Sequence, residues 1–274
     1  MTIADHDEPA PLDPPVLDDD QDENQGDDEK SRPSAAVKLV RLAESRYQLG
    51  TTPAGDAYAF ESRRPHIARM FREGRNGLRA ELARQYFDRE GKAAPQQALA
   101  DALLILEGKA ADATPEELHL RVAAKGGAVY IDAGDVSGTV YRITGGTWTT
   151  ETTAPVKFRR TELTAALPTP EHHPQGAAGV LDLFDHLNVA AEDHRLVLAW
   201  LAAAMLPGIP HPILALVAEQ GTAKSTATTR IVQMVDPSAV PLRTAPQGEE
   251  KWLTAAAGSW VVGLDNASHI PPWF

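Results

Sequence analysis

Cysteine is absent from the 274 residues, which excludes disulfides and thiolate metal sites. No apolar run approaches the roughly 20 residues that a membrane span needs. The amino terminus is acidic, without the basic-then-apolar pattern of a secretory leader. These absences point to an intracellular, cytoplasmic protein with no membrane partner. Lysine is scarce, 8 against 18 arginines, and we read that imbalance as genomic composition bias. What is present suffices for a packed core: 43 % of residues are hydrophobic, and the length allows one large domain or two small ones.

The net charge of −12 is unevenly distributed. Residues 1–30 hold twelve acids and a single base, Lys30, which leaves the rest of the chain near −1. So acidic a stretch buries too little apolar surface to offset the entropy of ordering. Residues 1–33 are therefore expected to be a disordered acidic tail. A solubilising leader is the reading favoured over a nucleic-acid mimic or a tether for a partner.

Residues 34–167 read as a small α+β domain. Ser34 can cap a helix over Ala35–Arg46, and short strands at Tyr47–Leu49 and Tyr58–Phe60 flank a Pro-Ala-Gly-Asp turn. A basic stretch, Ile67–Arg89, reads as helical, with Leu78, Leu82 and Tyr86 on one face. Arg72, Arg75 and Arg79 would project from it together unless Gly74 and Gly77 break the helix between them, either as a phosphate-contacting surface or as an ordinary solvated face. A further helix over Gln96–Glu107 should end at Gly108. Strands follow at Leu118–Val122, Ala128–Asp132, Thr139–Ile143 and Thr147–Thr150, turning at Gly126-Gly127 and Gly145-Gly146. Asp132 and Asp135 fit turn chemistry better than a metal site. The Pro-rich residues 168–178, with His172 and His173, read as a linker. Residues 179–274 then open on a helical pair, Val180–Leu187 and Ala191–Leu206.

The most specific signal comes next. Ile213-Leu214-Ala215-Leu216-Val217 is an apolar run suited to a buried parallel strand. After it come Ala218, Glu219, Gln220, Gly221, Thr222, Ala223, Lys224, Ser225 and Thr226, and then a helix-compatible stretch to Val235. Strand, small-residue turn with Lys-Ser, and helix is the order of a Walker A loop. A triphosphate needs inward-facing backbone N–H groups, which a helix amino end supplies. Lys224 would reach the β- and γ-phosphates, and the Ser225 hydroxyl would bind Mg²⁺. The general pattern has glycines where this chain has Ala218 and Ala223, and alanine resists positive φ. Ser259–Asp265 reads as a second apolar strand, ending in a carboxylate 41 residues after Lys224. Asp265 would share the Mg²⁺, and Asn266 stands where a second acid would activate water.

With these residues in place, positions from about 180 to 274 resemble the start of the ATPase domain in phage- and plasmid-type primase–helicases related to superfamily 3 helicases. The segment from Asp236-Pro237-Ser238 to Arg243, and Ser268–Trp273, also look similar to ATP-binding proteins of actinobacterial mobile elements, in which Ala before the Lys and Asn after the Asp are ordinary. The resemblance implies an α/β fold containing a P-loop NTPase core, with ATP and Mg²⁺ as cofactors. Glu219–Thr226 would hold the nucleotide, and Asp265 and Asn266 would occupy the catalytic position. DNA and further copies of the chain would be partners in replication of a mobile element. Such a core has about five strands plus a sensor and an arginine finger, and only nine residues follow Asp265. The core is therefore expected to be incomplete, with truncation at the carboxy end and poor or absent hydrolysis. A competing reading is a non-enzymatic DNA-binding or regulatory fragment with an inert P-loop remnant.

Overall fold

Leu39, Val40, Leu42 and Ala43 fall on one face of the first helix, α1 (Ala35–Glu44), and that face is buried. The computed structural model describes residues 33–245, 248–267 and 272–273, and within it residues 35–274 make one compact unit. The expected acidic tail, up to residue 32, and positions 268–271 lie outside the described residues.

After α1 the chain forms a hairpin of β1 (Tyr47–Thr51) and β2 (Ala57–Glu61), in register from Tyr47 opposite Glu61 to Thr51 opposite Ala57. The hairpin continues into β3 (Arg64–Met70), antiparallel to β2. This strand corrects the helix expected over Ile67–Arg89. His66 and Ala68 are buried while the residues around them are half-exposed, which is strand periodicity and not a helical stripe. The helix, α2 (Leu78–Glu90), begins only after a turn. Gly77 caps it where a Cβ would meet the Glu73 carbonyl oxygen at 2.5 Å, so no larger residue fits there. Leu78, Leu82 and Tyr86 do share its buried face. α3 (Gln96–Ala110) runs through Gly108, the expected stop, into Ala110. The three helices and the β1–β2 hairpin enclose one core containing Leu39, Leu82, Leu103 and Leu106.

The single strand expected over Leu118–Val122 is instead two, in different sheets: β4 (Leu118–His119) and, after Arg121, β5 (Val122–Lys125), which opens an antiparallel meander with β6 (Ala128–Asp132), β7 (Val140–Thr144) and β8 (Thr147–Glu151), turning at the two expected Gly-Gly pairs. β9 (Lys157–Arg159) has no counterpart among the expected elements, because three residues leave no pattern. It lies parallel to both β3 and β4 and completes a sheet of order β1-β2-β3-β9-β4, with Phe158 fully buried.

From 168 to 175 the chain carries no regular element. His172 stacks on Trp148 at 5.2 Å, and His173 pairs with Asp182. The first expected helix is a 3₁₀ segment, Gly176–His186, and the second is α4 (His194–Ala204) behind a 3₁₀ turn, Ala191–Asp193. Then come α5 (Lys224–Val235), β10 (Leu242–Thr244), α6 (Glu249–Ala256) and β11 (Gly263–Asp265). β10 and β11 are parallel, with Thr244 opposite Asp265.

Ile213–Val217 does not form a strand. Its side chains alternate as a strand's would: Leu214 and Leu216 pack against Leu187, Val197, Ala227 and Ile231, while Ile213 and Val217 are 83 % and 92 % exposed. No other described segment pairs with its backbone, so the alternation comes without a strand ladder. The architecture is mixed α/β, with a five-stranded mixed sheet, a four-stranded antiparallel sheet and a two-stranded parallel one. Leu167, Met205 and Trp260 pack onto Val122, Ile131, Ala133 and Tyr141, joining the carboxy-terminal elements to the meander.

Candidate functional site

The loop Ala218–Ala223 delivers the chain to the amino end of α5 through two left-handed residues. Gly221 has φ 87°, and Ala223, which caps the helix, has φ 61° and ψ 27°. Glycine takes this region freely; an alanine there stores roughly 1 kcal/mol of strain. The position that a Walker A pattern reserves for glycine thus makes the demand that explains glycine, and Ala223 meets it at a cost. Strain of this kind tends to persist at ligand clamps.

α5 is open at this end. No acidic residue occupies its first turn and no side chain caps it. The first helical hydrogen bond runs from the Ala227 amide to the Ala223 carbonyl, so the amides of Lys224, Ser225 and Thr226 make none within the helix. Their partial positive charge is therefore not balanced from within the helix. The Lys224 ammonium folds back across the loop, donating to the carbonyls of Ala218, at 2.6 Å, and Glu219. Thr222 Oγ1 also donates to the Glu219 carbonyl, and the Asn188 amide holds the Thr222 carbonyl at 3.2 Å. The side chains of Glu219, Gln220, Ser225 and Thr226 face solvent.

Ser225 and Asp265 meet although 40 residues separate them: the Ser225 hydroxyl donates to Asp265 Oδ1 at 2.8 Å. Asp265 ends β11, and the same oxygen accepts the Asn266 amide at 3.1 Å, with Asn266 left-handed at φ 55°. Behind the loop, Ala227, Ile231, Val232 and Val235 form the buried face of α5. Among the described residues no cluster of three or more His, Cys, Asp or Glu could hold a metal unaided. One hydroxyl and one carboxylate are nonetheless the sparse donor set that suits Mg²⁺, which binds through one or two carboxylates and takes its other oxygens from phosphate and water.

The other carboxylates singled out in the sequence have structural partners. Burial by itself would raise the Asp135 carboxyl, but hydrogen bonds from Ser137, Thr139 and the Gly138 amide outweigh it and hold the group down at about 2. Asp132 is fully buried against Arg160. Turn chemistry therefore accounts for Asp135 and a buried ion pair for Asp132.

Arg72, Arg75 and Arg79 do not share a helical face, because the first two lie in the turn between β3 and α2. Arg72 pairs with Glu107 at 2.9 Å, and the Arg75 amide donates to Glu162. All three are exposed. The sequence marks Asp236 only as part of Asp236-Pro237-Ser238 and does not single out its partner: Arg121 and Asp236 form a buried ion pair at 2.9 Å. Their 115-residue separation leaves no local pattern; the only hint is an arginine within an apolar stretch.

No described helix is long and apolar enough to cross a membrane. No curated protein and no solved structure matches the chain. Residues 180–274, which contain the whole loop, α5 and β11, match the family model described as actinomycete integrative conjugative element replication protein. This part of the chain is therefore similar to the replication protein of a mobile element.

Proposed function

We propose that the loop at Ala218–Thr226 binds a magnesium nucleoside triphosphate, ATP by resemblance, in a mobile-element replication protein of the helicase-associated ATPase type. The observation that carries this reading is the meeting of the Ser225 hydroxyl and the Asp265 carboxylate beside the open amino end of α5. The β- and γ-phosphates would accept the amides of Lys224, Ser225 and Thr226. Lys224 would exchange the Ala218 and Glu219 carbonyls for phosphate oxygens, trading neutral acceptors for charged ones. Ser225 and Asp265 would hold Mg²⁺, whose contribution when bound is to neutralise the phosphate charge. Asn266 follows Asp265, and an amide cannot take a proton from water, so binding is the activity assigned. A titration with a fluorescent ATP analogue, with and without Mg²⁺, tests this. Wild type should bind about 10-fold or more tightly with Mg²⁺, and Asp265→Asn should lose that gain. Equal affinity with and without Mg²⁺ in wild type would sink the reading.

A second reading, a DNA contact in the amino-terminal half, draws on Arg75 and Arg79. Arg75 lies in the turn before α2 and Arg79 in the first turn of α2; both are exposed, and among the described residues neither side chain has an acidic partner. A phosphate-contacting role predicts DNA binding that weakens steeply with salt. Arg75→Glu/Arg79→Glu should flatten that slope by about two charges' worth. An unchanged slope would reduce these arginines to solvated surface.

A further inference from the structure

Asp236 is the residue on which both arms of the candidate site converge, although it lies at the far end from the loop. It closes the carboxy end of α5, where its amide donates to the Val232 carbonyl at 2.8 Å. Its Oδ2 accepts the amides of Trp260 at 2.7 Å and Val261 at 3.1 Å. The segment those amides begin ends at Asp265. One residue thus joins the end of the helix that carries Ser225, through its amide, to the segment leading into the strand that carries Asp265, through its carboxylate. α5 and the segment that ends in β11 are therefore tied together here, at the end away from Ser225 and Asp265.

Arg121 holds that carboxylate in turn. Its side chain is 1 % exposed, and its Nε donates to Asp236 Oδ1 at 2.9 Å. The remaining donors reach the carbonyls of Asp132 at 3.0 Å, Ala165 at 3.0 Å and Pro237 at 3.1 Å. Arg121 stands between β4 and β5, Asp132 ends β6, and Ala165 follows β9. The guanidinium fork therefore joins the meander to the base of α5. Two backbone hydrogen bonds run alongside, from the Ala165 amide to the Pro237 carbonyl and from the Ala239 amide to the Leu163 carbonyl.

Resting on the nucleotide-site reading above, we propose that Arg121 and Asp236 are positioning residues for the Mg²⁺ corner of that site. They touch neither phosphate nor metal; they set the Ser225–Asp265 gap and make it depend on docking of the amino-terminal half. An outer residue that orients metal ligands is typically worth about 10–100-fold in metal affinity. The phosphate-binding amides and Lys224 belong to the loop and the first turn of α5 and do not pass through Asp236. The two contributions are therefore separable: Mg²⁺-dependent affinity relies on the pair, and Mg²⁺-free nucleotide binding does not.

The experiment has two arms. In the first, Arg121→Lys keeps the buried charge and loses the planar fork. Binding of the fluorescent ATP analogue is measured with Mg²⁺ and with EDTA. The gain from Mg²⁺ should fall about 10-fold, while affinity in EDTA stays within about 2-fold of wild type. A global loss of structure would lower both. The second arm needs no destabilised variant. Wild type labelled with 5-fluorotryptophan at its five tryptophans is titrated with ADP and followed by ¹⁹F NMR, with Trp260→Phe identifying the Trp260 resonance. ADP with Mg²⁺ should shift that resonance, and ADP in EDTA should leave it in place. If wild type gains from Mg²⁺ while Arg121→Lys retains the full gain and the Trp260 signal is unmoved, the positioning role is overturned and the nucleotide site stands. If wild type gains nothing from Mg²⁺, both fall together.

Discussion

Replacing Lys224 with alanine should weaken binding of Mg-nucleotide by about 10- to 100-fold and leave the fold intact. The magnitude follows from the kind of bond that the ammonium would make: a charge-assisted hydrogen bond to phosphate is worth about 1.5–3 kcal/mol, and each 1.4 kcal/mol is tenfold in affinity. The intact fold follows from where the ammonium now lies. It satisfies the carbonyls of Ala218 and Glu219, both on exposed residues, and water replaces it there. Thermal unfolding should therefore be unchanged within about 0.5 kcal/mol, as for surface substitutions generally. Calorimetric titration of wild type and Lys224→Ala with ATP and Mg²⁺ decides the matter. Equal affinity would mean that the lysine is a loop staple and not a phosphate ligand.

The parts of this protein that were legible in its sequence are those whose cause is local. The hairpin turns at Gly126-Gly127 and Gly145-Gly146 sit between alternating strands, and the meander follows from them. α5 begins where the small-residue turn ends. The elements that were misread are governed by distant partners. β3 is rich in arginine and runs into the basic stretch that continues as α2, so charge hid its alternation. Ile213–Val217 has a strand's composition and a strand's alternating burial, but a ladder needs a second backbone, which no local pattern encodes. The candidate site divides in the same way. Lys224 and Ser225 are candidates by spacing, whereas the approach of Ser225 to Asp265 needed the fold. Ala223 registers in the sequence only as an absent glycine, whereas the structure gives that absence a physical form, an alanine held at φ 61°.

Removing the Asp236 carboxylate should be among the most damaging single changes to stability in the described chain. Asp236→Ala strands the Arg121 guanidinium at 1 % side-chain exposure with only neutral carbonyls around it, and it frees the amides of Trp260 and Val261. Breaking a buried pair in this way costs about 3–5 kcal/mol, which for a unit of this size lowers Tm by about 10 °C. Arg121→Met should cost a similar amount by stranding the carboxylate instead. The double variant Arg121→Met/Asp236→Asn is the informative one. It leaves no uncompensated charge, and the Asn carbonyl can still accept the Trp260 or Val261 amide, so its cost should fall well below the sum of the singles. Buried ion pairs replaced by neutral side chains are often no less stable. Strict additivity in a denaturation cycle would mean that the two side chains do not act as a pair. A double variant that regains stability yet no longer binds more tightly with Mg²⁺ would separate the two roles: the charge pair is dispensable for folding, and its geometry is what the distance between Ser225 and Asp265 depends on.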